Sequence, residues 1–121
     1  MRNTLLFMLL ALVLVGCGNP LQDIVVGDWT AIQITEEGEK LSVNVGEVKL
    51  NLRESGNYKY FSTLNYQEAG SWFLDENLLF TNDTIHKAGQ KAVMILEAKQ
   101  DTLILKMLEN GKERLLTLAK E

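Results

Sequence analysis

An all-β fold is predicted for this chain: an antiparallel up-and-down meander that closes into a small barrel of about eight strands. Three observations predict it. Short alternating runs follow one another, separated by turn residues. No segment after Cys17 keeps a helical period over several turns. The paired runs also share one apolar face, which must be hidden. Closing the sheet hides that face and removes free edges. A two-sheet β-sandwich is the alternative.

The N-terminal segment stands apart. Met1, Arg2, Asn3 and Thr4 precede eleven apolar residues, Leu5 to Val15. At roughly 1.5 Å per residue, such a helix is about half as long as a bilayer core is thick. A positive residue, a short apolar stretch and small boundary residues form the pattern of a secretory signal. Leu14-Val15-Gly16-Cys17 resembles the lipobox of bacterial lipoproteins. The resemblance implies cleavage before Cys17, a diacylglyceryl thioether on its sulfur and acylation of the new amine. The expected organisation is a signal peptide over 1–16, a lipidated tether over 17–24 and a barrel over 25–121. Cys17 is the only cysteine, so no disulfide forms within the chain.

Removing 16 of 121 residues leaves 105, enough for one domain with a core. Arg2 is the only charge lost, which takes the net charge from −4 to −5. There is no basic patch interleaved with aromatics, so nucleic-acid binding is not expected. The single proline, Pro20, stiffens the polar tether Gly18–Asp23.

The candidate strands are Trp29–Thr35, Leu41–Val45, Glu47–Arg53, Tyr58–Leu64, Gln67–Leu74, Leu78–Thr81, Lys91–Lys99, Thr102–Leu108 and Glu113–Leu118. Trp29 has the wrong alternation relative to Ile32 and Ile34, which requires a bulge or an outward side chain. Asn110-Gly111 is a hairpin signal, because both residues tolerate positive φ. A two-residue turn there pairs Glu109 with Lys112, Met107 with Arg114, Leu105 with Leu116 and Leu103 with Leu118. A two-residue turn at Gln100-Asp101 pairs Ala98 with Leu103, Leu96 with Leu105 and Met94 with Met107. A three-residue loop at Ser55–Asn57 pairs Leu52 with Tyr60. One at Asp75–Asn77 sets Trp72 opposite Phe80. The stretch Asn82–Gln90 reads as a loop or a short helical turn.

Gly27-Asp28-Trp29, at the start of the first strand, resembles the Gly-x-Trp signature of lipocalins. The order "GDWT", "LNLRESGNYKY", "GSWFLDENLLF" is similar to small lipocalin-like domains of bacterial lipoproteins. The resemblance implies that Trp29 packs across the closed end of a barrel, covered by a basic residue from near the last strand. Arg114 is the candidate for that residue. The chain is shorter than a full lipocalin, and it lacks the usual disulfide and a clear second motif.

Three functions are open on these residues. In the first, the barrel of a membrane-anchored lipoprotein binds a small apolar ligand. Its cup is built from Tyr58, Tyr60, Trp72, Phe80, Leu96 and Leu105, although the same side chains also serve as ordinary core. In the second, an envelope accessory protein uses an outer apolar face of Val93, Ile95, Ile104, Leu108 and Leu115 to hold a partner. The third, an enzyme, has no motif to support it. His86, the only histidine, reads as a solvated loop residue, and neither a metal site nor a cofactor is expected. A buried carboxylate pair beside a pocket would revive that third reading. Gly18 is not acidic, so the outer membrane is the expected location within the bacterial envelope.

Overall fold

The computed structural model describes residues 20–87 and 89–121. The segment expected to be a signal peptide, the lipobox-like stretch with Cys17, and Gly18 and Asn19 lie outside the described residues. A short helix, α1 (Pro20–Val25), leads into nine strands. These are β1 (Gly27–Glu36), β2 (Glu39–Lys40), β3 (Lys49–Leu52), β4 (Asn57–Phe61) and β5 (Gln67–Asp75). They continue with β6 (Leu78–Asp83), β7 (Gly89–Ala98), β8 (Thr102–Glu109) and β9 (Lys112–Lys120). Neighbours pair antiparallel in the order β1-β3-β4-β5-β6-β7-β8-β9, and β9 pairs back onto β1. Eight strands therefore close a barrel, with β2 as a short extra strand on β1. Leu41–Val45 does not form the expected strand. Its place is taken by a loop and a 3-10 turn at Val45–Glu47.

Turn chemistry sets most of the registers. Asn110 and Gly111 both have positive φ (54° and 78°), and the β8–β9 pairs are those expected. At the β3–β4 loop the pairing is Leu52 with Tyr58 and Leu50 with Tyr60. This loop sits one residue earlier than predicted, which leaves the inward set unchanged.

Two registers differ with larger consequences. The β5–β6 connection is a two-residue turn, with Glu76 at φ 55° and Asp75 paired to Leu78. This shift of one residue flips β6. Leu79 faces inward and is buried, while Phe80 stacks on Phe73 with centroids 4.9 Å apart and Phe73 half exposed. Phe80 is therefore a wall residue on the outside and not part of an interior cup.

The second difference lies in β7. Ala98 pairs with Leu103 as expected, but the register shifts between Ile95 and Glu97. Leu96 is the extra residue of a bulge and is half exposed, while Ile95 pairs with Leu105 in the core. The reason is a conflict of parity. The β7–β8 turn places Ala98 inward, whereas pairing with β6 sets Val93 beside Leu79 and Lys91 beside Thr81. One inserted residue reconciles the two. Leu96 consequently leaves the interior, and Val93 and Ile95 leave the expected outer face.

A bulge of the same kind in β1 ejects Ile32, which is 60% exposed, and lets Trp29, Ala31 and Ile34 all face inward. The resulting core joins Trp29, Leu50, Leu52, Trp72, Leu103, Leu105, Leu116 and Leu118 with Leu79 and Ile95.

Candidate binding mouth

The two ends of the barrel differ. At one end α1 acts as a plug. Val25 is fully buried, and its carbonyl accepts the Trp29 indole N–H at 2.8 Å. Leu21 packs against the same core, so the chain is already seated within the stretch expected to be tether. Lys120 Nζ stands 5.4 Å from the Trp29 ring. It also lies over Gly27, where a Cβ would come within 2.7 Å of Lys120 Cε. The cation at Trp29 is thus Lys120, not Arg114. Arg114 reaches Glu36 at 2.6 Å, close to the other end of the barrel. Antiparallel pairing explains the exchange: Trp29 pairs with Lys120, while Arg114 pairs with Glu36 at the far end of β1.

The other end is a mouth, framed by the connections 37–48, 62–66, 84–87 and 110–111. Here the interior turns polar. Glu68 is buried on the inward face of β5, two residues before Gly70 and four before Trp72. Its Oε1 accepts the Tyr58 hydroxyl at 3.0 Å. Its Oε2 accepts the Tyr66 hydroxyl at 2.6 Å and Lys91 Nζ at 3.1 Å. Burial, followed by the Glu68 hydrogen bond, pushes the Tyr58 hydroxyl pKa well up. The Glu68 hydrogen bond does the same for Tyr66, ahead of burial. Tyr60 is also raised, chiefly by burial.

Asp83 is the second buried carboxylate and organises the 84–87 turn. Its Oδ1 accepts the backbone N–H groups of Ile85 (3.0 Å) and Ala69 (3.3 Å). Its Oδ2 meets the backbone N–H of His86 at 3.2 Å and His86 Nδ1 at 2.6 Å. Such side-chain-to-backbone bonds two and three residues ahead are what aspartate supplies in turns. Burial would raise this carboxyl, but the hydrogen bonds from His86, Ile85 and Ala69 outweigh it and hold the pKa at about 2. His86 in turn lies flat on Tyr66, with centroids 5.1 Å apart. The two mouth connections are therefore tied together through a ring stack. Gly70 allows β5 and β6 to come this close, since a Cβ there would sit 1.9 Å from the Asn82 carbonyl oxygen.

Between these connections lies an open cleft of about 610 Å³, lined by Thr63, Leu64, Asn65, Tyr66, Gln67, Ile85 and His86. Leu64 (95% exposed) and Ile85 (53%) supply aliphatic surface, and the others supply hydroxyl, amide and imidazole groups.

None of the six residues proposed as a ligand cup lines this cleft. Tyr58, Trp72 and Leu105 are buried below it, and Tyr60 packs against the same core. Trp72 Nε1 donates to the Arg53 carbonyl at 2.8 Å, at the plugged end. Phe80 and Leu96 lie on the outer wall. Of the expected partner face, only Ile104, Leu108 and Leu115 remain outside. The polar mouth was missed from sequence, although one signal for it existed: alternation that turns Trp72 inward turns Glu68 inward as well.

No protein-family model matches the chain, and no curated protein matches it. Solved structures do. A lipocalin-like protein from Bacteroides uniformis superposes with a TM-score of 0.59 at 16% identity, over 80% of this chain and 98% of that one. The fold is a lipocalin-like barrel. An uncharacterized protein from Bacteroides eggerthii shares it, with a TM-score of 0.53 at 13% identity, over 79% of this chain and 98% of that one. In this lipocalin-like barrel the plugged lower half is filled by side chains, and the accessible space lies at the mouth.

Proposed function

We propose that the chain is an envelope lipoprotein, anchored through acylated Cys17, whose lipocalin-like barrel binds a small ligand at its open mouth. The observation that carries the binding role is the cleft between 62–66 and 84–87, at the end opposite the α1 plug. Its volume falls within the range of small-molecule sites, roughly 300–1,000 Å³. Its lining suits a ligand with an apolar body, to rest on Leu64 and Ile85, and a few polar groups to meet Asn65, Gln67 and Thr63. The anchoring role rests on Leu14-Val15-Gly16-Cys17. One acyl chain holds marginally, so stable attachment takes two or more. The outer membrane is the placement that Gly18 favours.

The reading is of a binder, not an enzyme. Glu68 and Asp83 are a buried carboxylate pair beside a cleft, the arrangement that would suggest acid–base chemistry. Every oxygen of both is already engaged by the protein's own donors. An acid held at about 2 stays ionised at neutral pH and has no proton to give.

Native mass spectrometry of the full protein, extracted gently from its host, tests both parts. The expected result is an acylated Cys17 together with a retained small molecule. The polarity probe 1-anilinonaphthalene-8-sulfonate gives a second reading. Leu64→Asp with Ile85→Asp is expected to weaken its binding about tenfold, near 1.4 kcal/mol. Unchanged probe binding would remove the mouth as the site.

A further inference from the structure

We infer that the mouth cannot open onto the membrane that holds the protein, so the plugged end is the one that faces that bilayer. The inference rests on the anchoring reading above, and it deepens that reading by fixing where the ligand comes from. α1 begins at Pro20, three residues after Cys17. Consecutive Cα atoms are about 3.8 Å apart, so the link from Cys17 to Pro20 spans at most about 11 Å. α1 is fixed at the plugged end by Val25, which is buried and bonded to Trp29.

The distance to the mouth is larger. β5 is nine residues long and runs from the mouth, at Gln67, to the plugged end, at Asp75. At a rise of about 3.3 Å per residue and the usual barrel tilt, this is a height of about 20 Å. The link is about half that. An inverted barrel, with its mouth pressed on the lipid, is out of reach.

Surface chemistry agrees. The turns at the plugged end are polar, with Glu54, Ser55, Glu76, Asn77, Gln100 and Asp101. Such a surface rests at headgroups without inserting, and the acyl chains supply the hold. The mouth carries an exposed aliphatic residue in or beside each connection: Val43, Leu64, Ile85 and Leu108. This apolar entrance is presented to the aqueous side. The ligand therefore exchanges with the space away from the bilayer and is not drawn from the anchoring leaflet.

The test uses full-length lipidated protein in phosphatidylethanolamine/phosphatidylglycerol vesicles containing a headgroup spin-labelled lipid. With Cys17 consumed by acylation, Ser55→Cys and Lys87→Cys each offer one free thiol for a fluorophore. The expected result is quenching several-fold stronger at position 55 than at position 87. Equal quenching, or stronger quenching at 87, would overturn the inference. Ten Gly/Ser residues inserted between Asn19 and Pro20 should shrink the difference; an unchanged difference would show that the link length is not what orients the barrel. Mass spectrometry of the same samples separates the two readings. An unmodified Cys17 overturns the anchoring itself, whereas an acylated chain quenched at its mouth overturns only the orientation.

Discussion

Lys120 Nζ lies 5.4 Å from the centre of the Trp29 ring, on the strand that pairs directly with that of Trp29. The end of the last strand thus seals the first strand at the plugged end. At an exposed site such a contact contributes about 0.5–1 kcal/mol. Lys120→Ala is expected to lower stability by that amount in urea titrations followed by tryptophan fluorescence. Arg114→Ala, at the other end, should leave the Trp29 emission unchanged.

Ile95 and Leu96 invert the ordinary expectation from alternation with the β7–β8 turn. Ile95→Ala opens a cavity in the core and should cost about 2–5 kcal/mol. Leu96→Ala trims an exposed bulge and should stay within about 0.5 kcal/mol. Equal losses in chemical denaturation would contradict the bulge.

Gly70→Ala is predicted to be among the most damaging single-methyl additions. Its Cβ would meet the Asn82 carbonyl oxygen at 1.9 Å, and that oxygen is backbone that cannot swing aside. β6 must move off β5, at a cost of about 2 kcal/mol or more. The loss should appear as a lower midpoint, with faster hydrogen exchange at Ala69 and Thr84.

The chain has three tyrosines, Tyr58, Tyr60 and Tyr66, and all are shifted upward. A raised folded pKa means stability that is complete below the unfolded value, about 10, and is lost as pH climbs beyond it. In the native protein Tyr58 and Tyr66 should give no tyrosinate absorbance step near pH 10, whereas the urea-unfolded chain should show all three tyrosines. A native step near 10 from Tyr58 or Tyr66 would remove the Glu68 network.

Asp83 behaves in the opposite sense. Its folded pKa of about 2 lies below the ordinary value of 3.8. Its contribution is present above about pH 4 and is lost as pH falls through 2. Asp83→Asn should flatten that part of the acid unfolding curve and loosen the 84–87 turn. An acid limb identical to the parent's would show that the His86 and backbone bonds to Asp83 carry no linkage.

Much of this architecture was legible in the chain. Asn110-Gly111 fixed the β8–β9 pairing, because a two-residue turn with both φ positive has one register. Alternation in that hairpin identified Leu103, Leu105, Leu116 and Leu118 as inward, and all four are buried. The mismatch of Trp29 with Ile32 and Ile34 announced the β1 bulge. The segment Val93-Met94-Ile95-Leu96 was not legible in the same way. Four apolar residues in a row suit either face, so alternation is silent there.

The sequence by itself determined the all-β meander, the Asn110-Gly111 turn and the inward set of the last hairpin, because these depend on neighbours along the chain. Only the tertiary structure decided that Lys120 covers Trp29, that Phe80 and Leu96 face outward, and that Glu68, Asp83, Tyr66 and His86 join across the mouth. Each of those follows from closure. A strand in a barrel must satisfy partners on both sides at once, and the compromise between two registers is a property of the pair, not of either segment.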